Sequence, residues 1–146
     1  MDQSRAYIQM CRTGTDIQRR WRPQYGDFYV DVKNRVACWL EREPDAGEVR
    51  GGFRIHRQEG LVRLEHCIWL PRLDQLMELA QVRGRRFDRT TLDFHNWARK
   101  PYFPESKDPG KLFLSLEQLW LAYVMMRRHG KRWQGDGWHA MGPHRL

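Results

Sequence analysis

The segment from Ser115 to Gly130 constrains the fold more than any other part of the chain. It opens on a serine, places Gln118 three residues later, runs through eight uninterrupted apolar residues from Leu119 to Met126, and closes on Arg127, Arg128, His129 and a glycine. A serine hydroxyl accepts from the unsatisfied amides of a first helical turn, and basic side chains suit the negative end of the helix dipole. Glycine takes the left-handed conformation that ends a helix. The segment therefore predicts a well-specified helix. Eight consecutive apolar residues cover its whole circumference, so it is either central to its domain or shared with a second copy of the chain, and a homodimer is expected on the second reading. The helix specifies packing and carries no reacting constellation.

The remaining composition can supply a core around it. At 146 residues the chain suits a single α+β domain over 1–146, with 131–146 as a partly extended tail, and seven Trp, six Phe and five Tyr provide large apolar surfaces. Cys11, Cys38 and Cys67 are odd in number and widely spaced, without a Cys-x-x-Cys pair, so a disulfide framework is not expected. The N-terminus lacks the charged and apolar regions of a secretion signal, and eight apolar residues fall far short of the roughly 20 that span a bilayer. A cytoplasmic location and no membrane partner are expected.

Tyr7, Met10, Gly14, Ile17 and Trp21 recur at helical spacing, which predicts a helix over about 3–21. Gly14 either permits close packing on that stripe or breaks the helix, with Thr15 capping a second segment. Phe28, Val30 and Val32 alternate with polar residues, and Arg35 to Glu41 is equally strand-like, so a hairpin follows. Phe53 to Arg57 and Leu61 to Leu70 complete the simplest arrangement, an antiparallel sheet of about four strands packed by N-terminal and C-terminal helices. In the last strand Val62, Leu64, Ile68 and Leu70 share a face. Pro71 suits the first position of a helix buried through Leu73, Leu76, Met77 and Ala80 and ended by Gly84. Arg83 to Arg89 reads as a basic loop, and Thr90 or Thr91 as the cap of a short helix from Leu92 to Arg99.

Reacting groups are sparse. His66 and Cys67, with Cys38 and His56 on neighbouring strands, have zinc-ligand chemistry, but adjacent strand residues point to opposite faces and do not converge on one ion. His139 and His144 form a weaker pair. Asp93, His95 and Asn96 resemble a fragment of the histidine-asparagine-histidine nuclease pattern, and Asp45 with Glu48 and Arg50 imitates a restriction-type acidic cluster without its lysine. No phosphate-cradling glycine loop or nucleophile elbow occurs. The chain is read as non-enzymatic, with no catalytic residue, no metal and no cofactor; a metal-dependent nuclease acting through His95 and Asp93 is the enzymatic alternative.

The net charge is +8 and unevenly spread: residues 23–82 carry eight basic against ten acidic side chains, whereas 83–111 carry eight against four and 112–146 five against two. Basic flanks suit an acidic partner such as nucleic acid, although 21 of the 26 basic residues are Arg, a bias that an Arg-rich coding background also produces. Aromatics interleave with the positive charge at Arg20-Trp21-Arg22, Arg85-Arg86-Phe87, Trp97 with Arg99, Lys100 and Tyr102, and Lys131-Arg132-Trp133. Arg85, Arg86, Arg89, Arg99, Lys100, Lys131 and Arg132 are the candidate phosphate contacts, with Tyr102 and Trp133 as stacking surfaces for bases. Trp21 lies on the apolar stripe and is read as core.

Ile17-Gln18 through Trp21-Arg22-Pro23, Gly26-Asp27-Phe28, Ile68-Trp69-Leu70-Pro71-Arg72-Leu73-Asp74-Gln75-Leu76, and Leu116-Glu117-Gln118-Leu119-Trp120-Leu121-Ala122 with Gly130-Lys131 and Trp133 occur in an order that resembles a group of small bacteriophage- and prophage-encoded proteins of unknown function. The resemblance implies a context inside a host cell and no particular mechanism. Within that context the expected function is a phage accessory protein acting by binding, with nucleic acid the leading partner; the alternative is an inhibitor of a host protein such as a defence nuclease.

Overall fold

The computed structural model describes residues 1–39, 53–56, 60–99 and 112–142, of which 53–56 and 60–63 are described as backbone only. Among these residues the fold is α+β, with five α-helices and seven short strands, every pairing antiparallel. The chain divides into two compact units, residues 3–71 and residues 72–146 joined by residues 1–2.

In the first unit the long helical stripe is interrupted. α1 covers Arg5–Thr13 and α2 Thr15–Gln18, with Gly14 between them at φ −80° and ψ 58°. A β-carbon at Gly14 would lie 3.0 Å from the Met10 carbonyl oxygen, so glycine here permits the break. Ser4 caps α1, its hydroxyl accepting from the Tyr7 amide, and Tyr7, Met10, Cys11 and Ile17 are buried. β1 (Phe28–Val30) pairs with β2 (Val36–Cys38) and, on its other side, with a strand at Ile68–Leu70. The turn between β1 and β2 is held by Asp31, whose carboxylate accepts from the amides of Lys33 and Arg35 at 2.8 and 2.9 Å, while Asn34 takes the left-handed conformation at φ 58°. Because β1 is the central strand, Tyr29 and Val30 are buried on opposite faces, whereas Val32, expected within the strand, lies in the turn beyond it and is exposed.

The four-stranded sheet is realised as two sheets. β3 (Phe53–His56) and β4 (Gly60–Arg63) pair only with each other among the described strands, and β5 (Ile68–Leu70) joins β1. A 3₁₀ turn over Leu64–His66 separates β4 from β5, so the single strand expected from Leu61 to Leu70 is divided. Each residue of that turn advances the chain less than a strand residue, which releases β5 from the register of β4.

In the second unit α3 spans Leu73–Ala80, α4 Phe87–Ala98 and α5 Leu116–His129. Pro71 precedes α3 by two residues instead of opening it; Arg72 is the cap residue, and its amide donates to Gln75 Oε1 at 2.9 Å. α4 begins at Phe87, five residues earlier than its expected start at Leu92, and Thr90 is buried within it. Arginine has good intrinsic helix propensity, and the negative charge of Asp88 in the first turn offsets the unfavourable placement of Arg86 and Arg89 near the positive helix end. α5 has the boundaries its sequence specifies. Ser115 Oγ accepts from the Gln118 amide at 3.1 Å, and Gly130 closes the helix at φ 60° and ψ 32°. Gln118 is buried; its oxygen accepts from Leu114 N at 3.0 Å, and its nitrogen donates to Asp2 at 2.7 Å. Trp120 to Met125 are buried in the single chain. The C-terminal segment, expected to be extended, folds over Lys131–Ala140 as a hairpin of β6 (Lys131–Trp133) and β7 (Trp138–Ala140), with Gly135 at φ 94° in its turn.

Candidate nucleic-acid interface

The strongest concentration of charge among the described residues forms where α4 meets α5. Phe94 stacks on Trp120 with ring centroids 3.9 Å apart and planes 11° apart, and Trp97 packs against Tyr123 at 5.2 Å. This aromatic seam fixes the adjacent Asp93. Three guanidinium groups converge on its carboxylate: Arg85 at 2.5 Å, Arg127 from the last turns of α5 at 3.8 Å, and Arg89 from one turn earlier in α4 at 4.0 Å. Only Arg85 makes a full hydrogen bond, so the donors of Arg89 and Arg127 are held close without being consumed by Asp93. Arg86, 86% exposed, pairs with Asp88 at 3.0 Å. Four guanidiniums thus face two carboxylates.

The frame around the cluster is anchored by main-chain contacts. Arg128 donates to the Leu79 carbonyl at 3.0 Å and to that of Gln81, and Gln81 Nε2 donates to the Arg85 carbonyl at 3.1 Å. The end of α5, the end of α3 and the turn carrying Arg85 are therefore tied together. Beneath the cluster, burial pushes the Tyr123 phenol above its ordinary value and the Asp93 charge adds to this, against opposing pulls from Arg127 and Arg85.

Of the sequence-derived contacts, Arg85 and Arg89 share this cluster and Arg86 adjoins them in sequence. Arg99 is the C-cap residue of α4, about 15 Å further along the helix from Arg89 at 1.5 Å per residue. Lys131 and Arg132 are half-buried on β6, a different element. Lys100 and Tyr102 lie outside the described residues. Trp133 is corrected: it is 5% exposed, its ring 5.1 Å from that of Trp138, and it packs the hairpin instead of offering a face to bases. Trp97 is half-buried in the aromatic seam, and Trp21 is buried, donating from Nε1 to Asp27 at 2.9 Å. Arg127 was read in the sequence as helix-end charge; its part in the cluster follows from tertiary packing, although its position one turn beyond Tyr123 hinted at the same helix face.

The other chemistries find little support. Asp93 and His95 are two residues apart on a helix, about 200° around its axis, so their side chains diverge, and Asp93 is already surrounded by arginines. His66 is exposed beside Glu65, whereas Cys67 is buried, and burial with the Asp31 charge pushes its thiol up to about 11. His139 lies 3.4 Å from Asp136. Among the described residues no three His, Cys, Asp or Glu side chains come together as metal ligands. Asp45, Glu48, Arg50 and His144 lie outside the described residues, as does the side chain of His56. No helix among the described residues is long and apolar enough to cross a membrane. No family model, curated protein or solved structure matches the chain.

Proposed function

We propose that this protein is a phage or prophage accessory factor that works by binding nucleic acid, without catalysis, through the arginine cluster built on Asp93. The observation that carries this reading is the convergence of Arg85, Arg89 and Arg127 on one carboxylate, which leaves an excess of positive charge on a frame tied to three helices. Guanidinium forks match phosphate oxygens bidentately, and holding them in place beforehand reduces the side-chain ordering lost on binding. The same segment carries Arg86 and Arg99 on exposed positions, and residues 72–146 hold 14 basic against eight acidic side chains.

Fluorescence anisotropy with labelled oligonucleotides tests the reading. Three phosphate contacts imply a slope of about −2 to −3 for log affinity against log salt, and Arg89→Ala with Arg127→Ala should reduce that slope by about 2. Absence of retention at low salt, or a double variant that binds like the parent, overturns the proposal.

A further inference from the structure

The exposed face of α4 narrows the kind of nucleic acid, on the premise that the binding reading above holds. Phe94, Trp97 and Thr90 turn α4 toward packing, which leaves Arg89, Leu92, His95, Asn96 and Arg99 exposed on the opposite side. Arg89, Leu92, Asn96 and Arg99 follow one another at spacings of three, four and three, so they form a single stripe, with His95 beside it. Of the described rings that interleave with basic residues, Trp21 and Trp133 are buried, Trp97 is half-buried and Phe87 is exposed at the start of α4; the stripe itself holds no Phe, Trp or Tyr and offers hydrogen-bonding and small apolar groups between two arginines.

We infer that α4 is an element that enters the major groove of duplex DNA, with its two basic ends holding backbone phosphates and its middle facing base edges. The major groove is about 12 Å wide and admits an α-helix lengthwise, and the roughly 15 Å between Arg89 and Arg99 places one arginine at each end of the inserted segment, within side-chain reach of the flanking phosphates. The Arg85, Arg89 and Arg127 cluster makes up the first of these ends. Between the two ends, Asn96 has the paired donor and acceptor that match adenine, Leu92 is suited to a thymine methyl, and His95 donates or accepts according to its tautomer. Asp88, on the same side of the helix, is neutralised by Arg86 and does not oppose the approach.

The test uses the full chain and three probes of one sequence: duplex DNA, the corresponding single strands, and double-stranded RNA, whose major groove is too deep and narrow for a helix. Duplex DNA should bind at least about tenfold more tightly than either of the others. His95→Ala with Asn96→Ala, both exposed and therefore tolerated by the fold, should broaden the sequences recovered in a binding selection while leaving the salt slope unchanged. Equal binding to RNA duplex, a preference for single strands, or an unaltered selection profile in that variant overturns the groove inference while leaving nucleic-acid binding standing. Failure of all three probes to bind at low salt removes the underlying reading instead.

Discussion

Gln18 is a half-buried polar residue whose loss the structure makes costly. Its oxygen accepts from the Trp69 amide at 2.8 Å, and its nitrogen donates to the carbonyls of Trp69 and Cys11 at 3.0 and 3.1 Å. β5 is one of the two edge strands of the three-stranded sheet, and these bonds occupy the outward-facing main-chain groups that a further strand would otherwise take. The same amide thereby joins the edge of the sheet to the end of α1. Replacing Gln18 by Ala strands the Trp69 amide and the Trp69 carbonyl, one donor and one acceptor, while the Cys11 carbonyl keeps its bond from the Gly14 amide at 3.1 Å. At about 1 kcal/mol for each group where water has partial access, the loss is about 2 kcal/mol, and more if the site stays dry. For a chain of this length, about 3 °C of Tm per kcal/mol gives a fall of about 6 °C. Gln18→Glu should be worse than Gln18→Ala at neutral pH, since a carboxylate faces two carbonyl oxygens, and should recover in part in acid as the protonated group donates again. Thermal unfolding followed by circular dichroism measures both. A Gln18→Ala protein melting within about 2 °C of the parent would refute the reasoning, as would a Glu variant insensitive to pH.

Other perturbations follow from single contacts. Partial burial disfavours the Asp31 carboxylate, but hydrogen bonds from the Arg35 and Lys33 amides and the Arg35 guanidinium outweigh it and hold its pKa below the ordinary value. Its stabilising effect is therefore complete above pH about 4 and lost as pH falls through the folded value, so Asp31→Asn should flatten the acid end of the stability profile in urea titrations. With its thiol pushed up to about 11, Cys67 is about one part in a thousand thiolate at pH 8; iodoacetamide should label half-buried Cys38 first and Cys67 only on unfolding, which mass spectrometry resolves. At Gly130 a β-carbon meets nothing within 4 Å, so Gly130→Ala should cost only the left-handed backbone penalty of about 1 kcal/mol, visible as a shift in the denaturant midpoint.

Local chemistry wrote α5 most clearly, because Ser115 and Gly130 act on their own helix ends and the apolar run needs no distant partner to be recognised. The hairpin of β1 and β2 was readable for the same reason, its turn being closed by neighbouring residues around Asp31. The strand expected from Leu61 to Leu70 was not, since alternation continues through Leu64, Glu65 and His66 although the backbone there turns in a 3₁₀ helix. α4 was placed too late because an arginine-rich segment looks like solvated loop until Phe94 and Trp97 find Trp120 and Tyr123. The candidate site shows the same division. Composition indicated Arg85 and Arg89, but the meeting of both with Arg127 on Asp93 depends on how two helices pack, and the burial of Trp133 depends on a hairpin partner.

Asp93 acts as a governor on this surface. One carboxylate among three guanidinium groups relieves their mutual repulsion and at the same moment offsets part of the positive potential that would draw a phosphate. Holding power and cohesion of the molecule are thus set against each other at one side chain. Asp93→Asn should grip polyanions more tightly while loosening the join between α4 and α5, so the residue marks a compromise between a firm helix pair and an avid one.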